Sequence, residues 1–183
     1  ETFVWVESTF VPWLSNITGI ARGNLNEVAT CLKEIFNNIT DHTNYESGYF
    51  MGQWYPKQRK IVFSIADFGI GIPYNVASVT KNYSQSDNKA IIKACENEFT
   101  SKSVPGNQGA GLYFLLLNIV KNFKGKVTIR SSTGFVEFIN KNDIIVPNGQ
   151  NNVGYCMGTT IEVVIYIDEI PLDGDIEEEV MGW

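Results

Sequence analysis

The stretch KIVFSIADFGIGIP, residues 60–73, combines an apolar strand pattern with an aspartate and two glycines. Its β-branched and aromatic residues predict a strand up to Ala66. Asp67 follows at the end of that strand, and Gly69 and Gly71 allow the backbone to turn tightly and to approach a ligand closely. Taken alone, the pattern is equally typical of an ordinary turn, so its meaning depends on the rest of the chain.

The size and composition of the chain predict one folded domain covering residues 1–183. A length of 183 residues suffices for a full hydrophobic core, and 44% apolar with 13% aromatic residues is typical of globular proteins. The net charge of −6 argues against general binding to nucleic acid or to an anionic membrane. No apolar run approaches the roughly 18 residues of a membrane span. Three widely separated cysteines predict reduced thiols and a cytoplasmic protein.

Hydrophobic periodicity predicts the order of helices and strands. The pattern NLNEVATCLKEIFNNITDHT, residues 24–43, predicts the best-defined helix because its apolar residues recur at helical spacing. A second helix, apolar on nearly every side, is predicted for residues 109–125. Strands are predicted for residues 2–6, for 48–67 with a polar turn at 56–59, and for 126–132, 134–140 and 159–167, with a short helix at 88–98 and a connecting loop at 140–152.

This order of elements predicts an α+β fold, a two-layer sandwich of a mixed, mostly antiparallel sheet with helices on one face. Between residues 73 and 108 the periodicity weakens, and serine, asparagine and lysine accumulate. A loop of that length inside a compact domain is usually functional or mobile, so we expect this segment to move during function.

The polar side of the predicted helix at 24–43 carries Glu34, Asn38 and His42 at intervals of four residues, with Asp41 beside them. Residues four apart share one helix face, so Glu34 and Asn38 point the same way. Taken alone, such a face is also typical of a solvated helix surface.

A glycine-rich segment, GNQGAGL at residues 106–112, precedes the predicted buried helix. Free N–H groups at a helix start, with glycines that permit close approach, form a seat for phosphate. The segment lacks the Gly-Lys-Ser/Thr of a Walker loop, and no short βαβ unit contains it, as a Rossmann site requires. A flexible loop with tight helix packing is the alternative. A fourth short motif, Gly158-Thr159-Thr160, opens the last predicted strand.

Together, in this order, the four motifs resemble those of the GHKL ATPase superfamily, which includes gyrase, Hsp90, histidine kinases and MutL. EIFNNITDH (34–42) is similar to its N box, DFGIGIP (67–73) to its first glycine box, GNQGAGL (106–112) to its second, and GTTIEVV (158–164) to its final strand. The resemblance covers residues 25–167 and implies the Bergerat ATP-binding fold.

The resemblance implies that this chain binds ATP and Mg²⁺. Asp67 would accept a hydrogen bond from the adenine amino group, and Gly71 would let the base lie against the backbone. Asn38 would hold Mg²⁺, and residues 73–108 would form a lid over the phosphates. The other residues implied in nucleotide binding are Asp41, His42, Gly69, Ile72, Thr100, Lys102, Gly106, Gln108, Gly109, Ala110, Gly111, Leu112 and Thr159, and the apolar walls implied for the base are Ile65, Ile70, Ile72 and Val163.

Two classes of function remain open. In the first, the chain is an ATPase or protein kinase with Glu34 as catalytic base, and it is nearest to the histidine kinases or the anti-sigma-factor kinases. Because the only histidine, His42, lies inside the N-box pattern, an autokinase would need an acceptor elsewhere. In the second class, ATP gates the binding of a protein partner with little or no turnover. In both we expect ATP and ADP as ligands, a protein partner or flanking domain, no nucleic acid and, as an open alternative, a homodimer.

Overall fold

The computed structural model describes residues 2–42, 48–97, 99 and 111–170, with the backbone alone for residues 2, 3 and 37–42. Within these ranges the chain has an α+β fold with a four-stranded sheet. The strands are β1 (Gly48–Tyr55), β2 (Lys60–Asp67), β3 (Lys126–Lys141) and β4 (Ile144–Tyr166).

The sheet has the order β1-β2-β4-β3, and all pairs of described strands are antiparallel. The prediction of a mixed sheet is therefore wrong for this part of the chain. The reason is that β4 returns from β3 by a hairpin and inserts between β2 and β3, which makes it antiparallel to both neighbours.

The helices are α1 (Thr2–Trp5), α2 (Val11–Thr18), α3 (Asn26–His42), α4 (Ile72–Thr80), α5 (Asp87–Ala94) and α6 (Gly111–Leu116). π-helical turns at Val6–Phe10 and Leu117–Asn122 continue α1 and α6, and 3-10 turns lie at Arg22–Leu25, Pro56–Gln58 and Ile167–Glu169. These bounds confirm the two long helices that the apolar periodicity predicts and the hairpin of β1 and β2.

The N-terminal strand predicted for residues 2–6 is wrong, because this segment is helical. α1, its π-helical turn and α2 follow one another without a break up to residue 18. The buried residues Val6, Phe10 and Leu14 recur every four positions, which is a helical period. The β-branched residues of a five-residue window favour a strand locally, but the longer apolar stripe decides the structure, and Phe10 packs on Phe63 of the sheet.

One face of the sheet forms the hydrophobic core together with the helices. Phe36 of α3 contacts Phe50 of β1, and the Phe50 ring contacts Phe63 of β2. Alternate residues of each strand point to this face, as the twofold period of a strand requires. The buried apolar residues of β2, β3 and β4 on this face are Ile61, Phe63, Ile65, Val127, Ile129, Ile161, Val163 and Ile165.

The buried face ends in a row of polar residues. Asp67 pairs with Thr159 across β2 and β4, and Thr159 pairs with Ser131 across β4 and β3. All three residues are buried. Because a buried polar group is costly unless it is hydrogen-bonded, this row marks the place where polar contacts replace apolar packing.

The connecting loop predicted for residues 140–152 is wrong, because most of it belongs to the hairpin of β3 and β4. The pairing begins at Lys141 with Ile144 and continues through the predicted loop. The turn residues Asn142 and Asp143 have φ values of 53° and 62°, as a two-residue type I′ turn requires. Asparagine-rich composition suggests a loop, but here backbone pairing with β3 satisfies the backbone groups of the segment, and most of its side chains are exposed.

β3 bends sharply where its register with β4 shifts, between Ser131 and Gly134. Lys126 and Glu137 are 11 residues apart, which in a straight strand is roughly 36 Å. Lys126 Nζ nevertheless donates a hydrogen bond to Glu137 Oε1 at 3.1 Å. The second half of β3 therefore folds back toward its start, and α5 packs on it.

The segment predicted as a lid, residues 73–108, contains two packed helices, α4 and α5. Both bury apolar side chains in the fold. Asp87, the first residue of α5, accepts hydrogen bonds from the Thr133 backbone N–H at 2.9 Å and from the Thr133 hydroxyl at 2.6 Å. This part of the segment is thus anchored to the bend of β3. Residues 98 and 100–108 lie outside the described ones, and movement of a lid stays a prediction.

Asp87 should make the stability of the fold depend on pH. Burial raises the pKa of Asp87, but hydrogen bonds from the Thr133 hydroxyl and backbone and from Ser132 outweigh it and hold the pKa below its ordinary value. A lowered pKa stabilises the folded state above the unfolded-state value of about 3.9, and this stabilisation is lost as the pH falls through the folded-state pKa. We expect urea unfolding between about pH 5 and pH 2 to show a steeper loss of stability on acidification in the wild type than in Asp87→Asn. Equal slopes in the two proteins would exclude this role.

Candidate functional site

The carboxylate of Asp67 lies at the end of β2, where the chain turns away from the sheet. Only 8% of Asp67 is exposed, and its Oδ1 accepts a hydrogen bond from the Gly69 backbone N–H at 2.7 Å. This bond orients the carboxylate within its own turn. The turn ends at Gly71, whose φ of 81° favours glycine, and α4 follows directly. The aspartate and glycines of this motif therefore form one ordered structural unit.

Gly158 and Thr159 of β4 lie directly against this turn. Thr159 pairs with Asp67 in the sheet, and Gly158 has a φ of 68°. A Cβ atom at Gly158 would lie 2.7 Å from Asp67 Oδ1 and closer still to the Asp67 carbonyl oxygen. No side chain fits there, so the close packing against the candidate binding carboxylate requires glycine at position 158.

Ser131 of β3 completes the cluster, although sequence reasoning misses it. Its buried hydroxyl donates to the Gly158 carbonyl oxygen at 2.7 Å and accepts the Ile72 backbone N–H at 2.9 Å. The Thr159 hydroxyl oxygen lies 3.2 Å from Ser131 Oγ. One feature of the sequence could have predicted this role. The alternating apolar residues of β3 place Ser131 on the core face, and a buried hydroxyl there needs hydrogen-bond partners.

Gly71 is required by the fold itself. A Cβ atom at Gly71 would lie 2.8 Å from Ser131 Oγ and 3.2 Å from the Gly158 carbonyl oxygen. The packing therefore demands glycine at this position whether or not a base lies against it. Contact between the Gly71 backbone and adenine stays a prediction.

The apolar residues predicted to line the base have different surroundings. Ile65 and Val163 are buried inside the hydrophobic core, where protein side chains cover them. Ile72 is partly buried against the core, whereas Ile70 is 57% exposed in the turn after Asp67. Ile70 and Ile72 are therefore the two of these residues that a ligand at the turn could reach.

The start of α6 is directed toward the same end of the sheet. The π-helical turn that continues α6 contacts β3 and β4, and a short turn with Gly125 joins this helix to the start of β3. The helix therefore runs back along the strand. Six residues of α6 and six of its π-helical turn span about 18 Å, and the stretch of β3 up to Ser131 spans about 17 Å. Gly111 therefore lies toward the end that carries Asp67, and Leu112 beside it is half-buried.

α3 packs beside α6 and runs toward the same end. Cys31 is buried in the core on α3, which contacts α6 and the π-helical turn that continues it. Five residues later, Phe36 contacts Phe50, whose partner in the sheet is Ile65, two residues before the end of β2. These contacts indicate that the second half of α3 approaches the polar end of the core face.

The polar positions of α3 follow from its helical backbone. Glu34 is half-buried, and Asn38 lies one turn later on the same face. Asp41 and His42 occupy the last turn of the helix. The side chains of these three later residues lie outside the described ones, so their roles toward Mg²⁺ and phosphate stay predictions.

The thiols of α3 and of the residue after α5 are not nucleophiles. Burial, with the nearby charge of Glu27, raises the pKa of Cys31 to about 12, and burial raises the pKa of Cys95 well above its ordinary range. A thiol with a raised pKa stays protonated and unreactive at neutral pH. Neither of these two thiols is therefore a candidate for the chemistry of the site.

Several predicted site residues lie outside the described ones, and their roles stay predictions: Thr100, Lys102, Gly106, Gln108, Gly109 and Ala110. Within residues 2–42, 48–97, 99 and 111–170, no group of three or more His, Cys, Asp or Glu residues is arranged to hold a metal ion. In the same part of the chain, no helix has the length and apolar character of a membrane span.

Comparison of the chain with known protein families gave no match, and comparison with curated proteins gave none either.

Proposed function

We propose that this chain is an Mg-ATP-binding domain of the GHKL type, with the Bergerat fold, that hydrolyses ATP or transfers its terminal phosphoryl group to a protein partner. The observation that carries the proposal is the oriented carboxylate of Asp67 at the polar end of an otherwise apolar sheet face. Gly158 and Thr159 pack directly against it. A mostly apolar site with a few placed polar groups is typical of ligand recognition.

The chemistry of this end of the sheet fits an adenine base. Adenine presents an N–H donor on its exocyclic amine, and a carboxylate provides lone pairs for roughly four hydrogen bonds. The Gly69 N–H uses one of these on Asp67 Oδ1 and holds the carboxylate in place. The Thr159 hydroxyl on the neighbouring strand adds a second polar group, and Ile70 and Ile72 supply apolar surface.

The two helices that approach this end support the phosphate half of the proposal. Gly111 is the first described residue of α6, and the backbone N–H groups of a helix start can bind anions. Asn38 on α3 would hold Mg²⁺ through its side-chain oxygen, and Glu34 one turn earlier would orient the nucleophile and accept its proton. Bound Mg²⁺ would neutralise phosphate charge.

Replacing Asp67 by asparagine should weaken ATP binding by about 1–3 kcal/mol, the usual cost of an unmatched buried polar group. The amide can present N–H where the carboxylate accepts, so the adenine amine would lose its partner. Isothermal titration calorimetry measures the change. Asp168→Asn is the matched control, because Asp168 is exposed just after β4 and pairs with Arg59, which precedes β2 at the end opposite to Asp67. Equal affinity of wild type and Asp67→Asn would remove Asp67 from this role.

Exposed apolar residues beside the site favour a second candidate function, an ATP-gated interaction module. Tyr49 is 64% exposed, and its ring contacts Phe68 in the turn at 5.4 Å between centroids. The affinity of a partner that covers these residues would depend on the conformation of the turn. Incubation with Mg-ATP, followed by analysis of nucleotides and phosphorylated sites, separates the two functions. Multiple turnover supports the enzyme, and binding without turnover, with and without a partner, supports the module.

A further inference from the structure

Ser131 is a fully buried hydroxyl that joins the segments around the candidate adenine site. Its oxygen accepts the Ile72 backbone N–H at 2.9 Å, and its O–H donates to the Gly158 carbonyl oxygen at 2.7 Å. Buried hydroxyls need partners, and this one has them on two elements distant in sequence, the start of α4 and the Gly-Thr segment of β4.

The first bond holds the far end of the Asp67 turn. Ile72 is the first residue of α4, and its N–H is one of the donors that a helix start leaves without an intrahelical partner. Gly71 before it provides no capping side chain. Ser131 supplies the missing acceptor from another strand and so fixes where the turn ends.

The second bond holds the residue that packs on the carboxylate. The Gly158 backbone lies so close to Asp67 that a Cβ atom there would be 2.7 Å from Oδ1. Ser131 fixes the Gly158 peptide through its carbonyl oxygen. One hydroxyl thus restrains both the turn that carries Asp67 and the backbone against which its carboxylate rests.

We propose that Ser131 is a positioning residue for purine recognition, which sets the orientation of Asp67 and thereby the preference for a 6-amino over a 6-oxo purine nucleotide. The inference rests on the proposed function. A fixed carboxylate accepts from the adenine amine and rejects the carbonyl oxygen that hypoxanthine presents at the same place. A carboxylate that can turn away loses this discrimination, because specificity is a difference between two affinities.

The test is to titrate wild type and Ser131→Ala with ATP and with inosine triphosphate by calorimetry. We expect the affinity of wild type for ATP to exceed its affinity for inosine triphosphate by at least about tenfold. We expect this ratio of the two affinities to fall by at least about fivefold in Ser131→Ala. Thr133→Val is the matched control, because it removes a hydroxyl from the same bend of β3 that bonds Asp87 instead. The ratio of ATP to inosine triphosphate affinity in Thr133→Val should equal that of wild type, even if both variants lose stability.

An unchanged ratio in folded Ser131→Ala would overturn the inference, as would an equal fall of the ratio in Thr133→Val. If Ser131→Ala does not fold, Ser131→Cys, which keeps a weak donor, is measured in the same way and judged by the same ratio. Wild type that binds neither nucleotide would overturn the proposed function and this inference together, whereas wild type that binds both equally would overturn this inference alone. The wild-type titration by itself distinguishes these two outcomes.

Discussion

Replacing Glu34 by alanine should stop turnover of ATP while leaving ATP binding near normal. Glu34 lies one turn before Asn38 on α3, so the two positions share a helix face. With Mg²⁺ held at the phosphates by Asn38, Glu34 would reach the attacking water or a partner's hydroxyl and take its proton. A positioned general base contributes roughly 10²–10⁴-fold to a rate, and we expect a loss of that size in kcat. The carboxylate need not touch the nucleotide, so Kd should stay the same.

Glu27→Ala is the matched control for this prediction. Glu27 is the same residue type on the same helix, about two turns or 10 Å before Glu34, so its removal should not change turnover. Asn38→Ala should instead weaken the Mg²⁺-dependent part of binding. Turnover that survives in Glu34→Ala, or that falls equally in Glu27→Ala, would show that Glu34 belongs to an ordinary polar helix face.

Replacing Gly158 by alanine should destabilise the fold by about 2–5 kcal/mol and weaken ATP binding with it. A left-handed backbone costs an L-residue about 1–2 kcal/mol, and overpacking a tight site costs about 1–3 kcal/mol. Both apply here, since φ is 68° and the new Cβ atom would meet Asp67 Oδ1 at 2.7 Å. The Asp67 turn must move to admit the methyl group. Chemical unfolding measures the first effect, and calorimetry measures the second.

Gly19→Ala separates backbone strain from the clash with Asp67. Gly19 ends α2 with a similar φ of 78°, but a Cβ atom there meets nothing within 4 Å. We expect it to cost about 1–2 kcal/mol and to leave nucleotide affinity unchanged. A cost for Gly158→Ala no larger than that of Gly19→Ala would mean that the site tolerates a side chain and that Asp67 is not held by close packing.

Sequence reasoning is reliable here where the signal is repeated along one element. The apolar stripe of α3 and the polar turn between β1 and β2 predict structures that the fold confirms. It fails in short windows, as in the N-terminal helix, where five residues cannot reveal a four-residue period. It also fails where backbone pairing outweighs composition, as in residues 144–151, which pair with β3 although their composition is typical of a loop.

By itself, the sequence determined that a carboxylate stands at the end of an apolar strand, because alternation and the glycines are both local features of residues 60–73. Only the tertiary structure decided what surrounds that carboxylate. Ser131 bonds a residue 59 positions before it and another 27 positions after it. Those contacts depend on the register of β3 and β4, and a slip of one residue would turn Ser131 to the other face of the sheet. Register is set by the packing of the whole core face, which no short stretch of sequence contains.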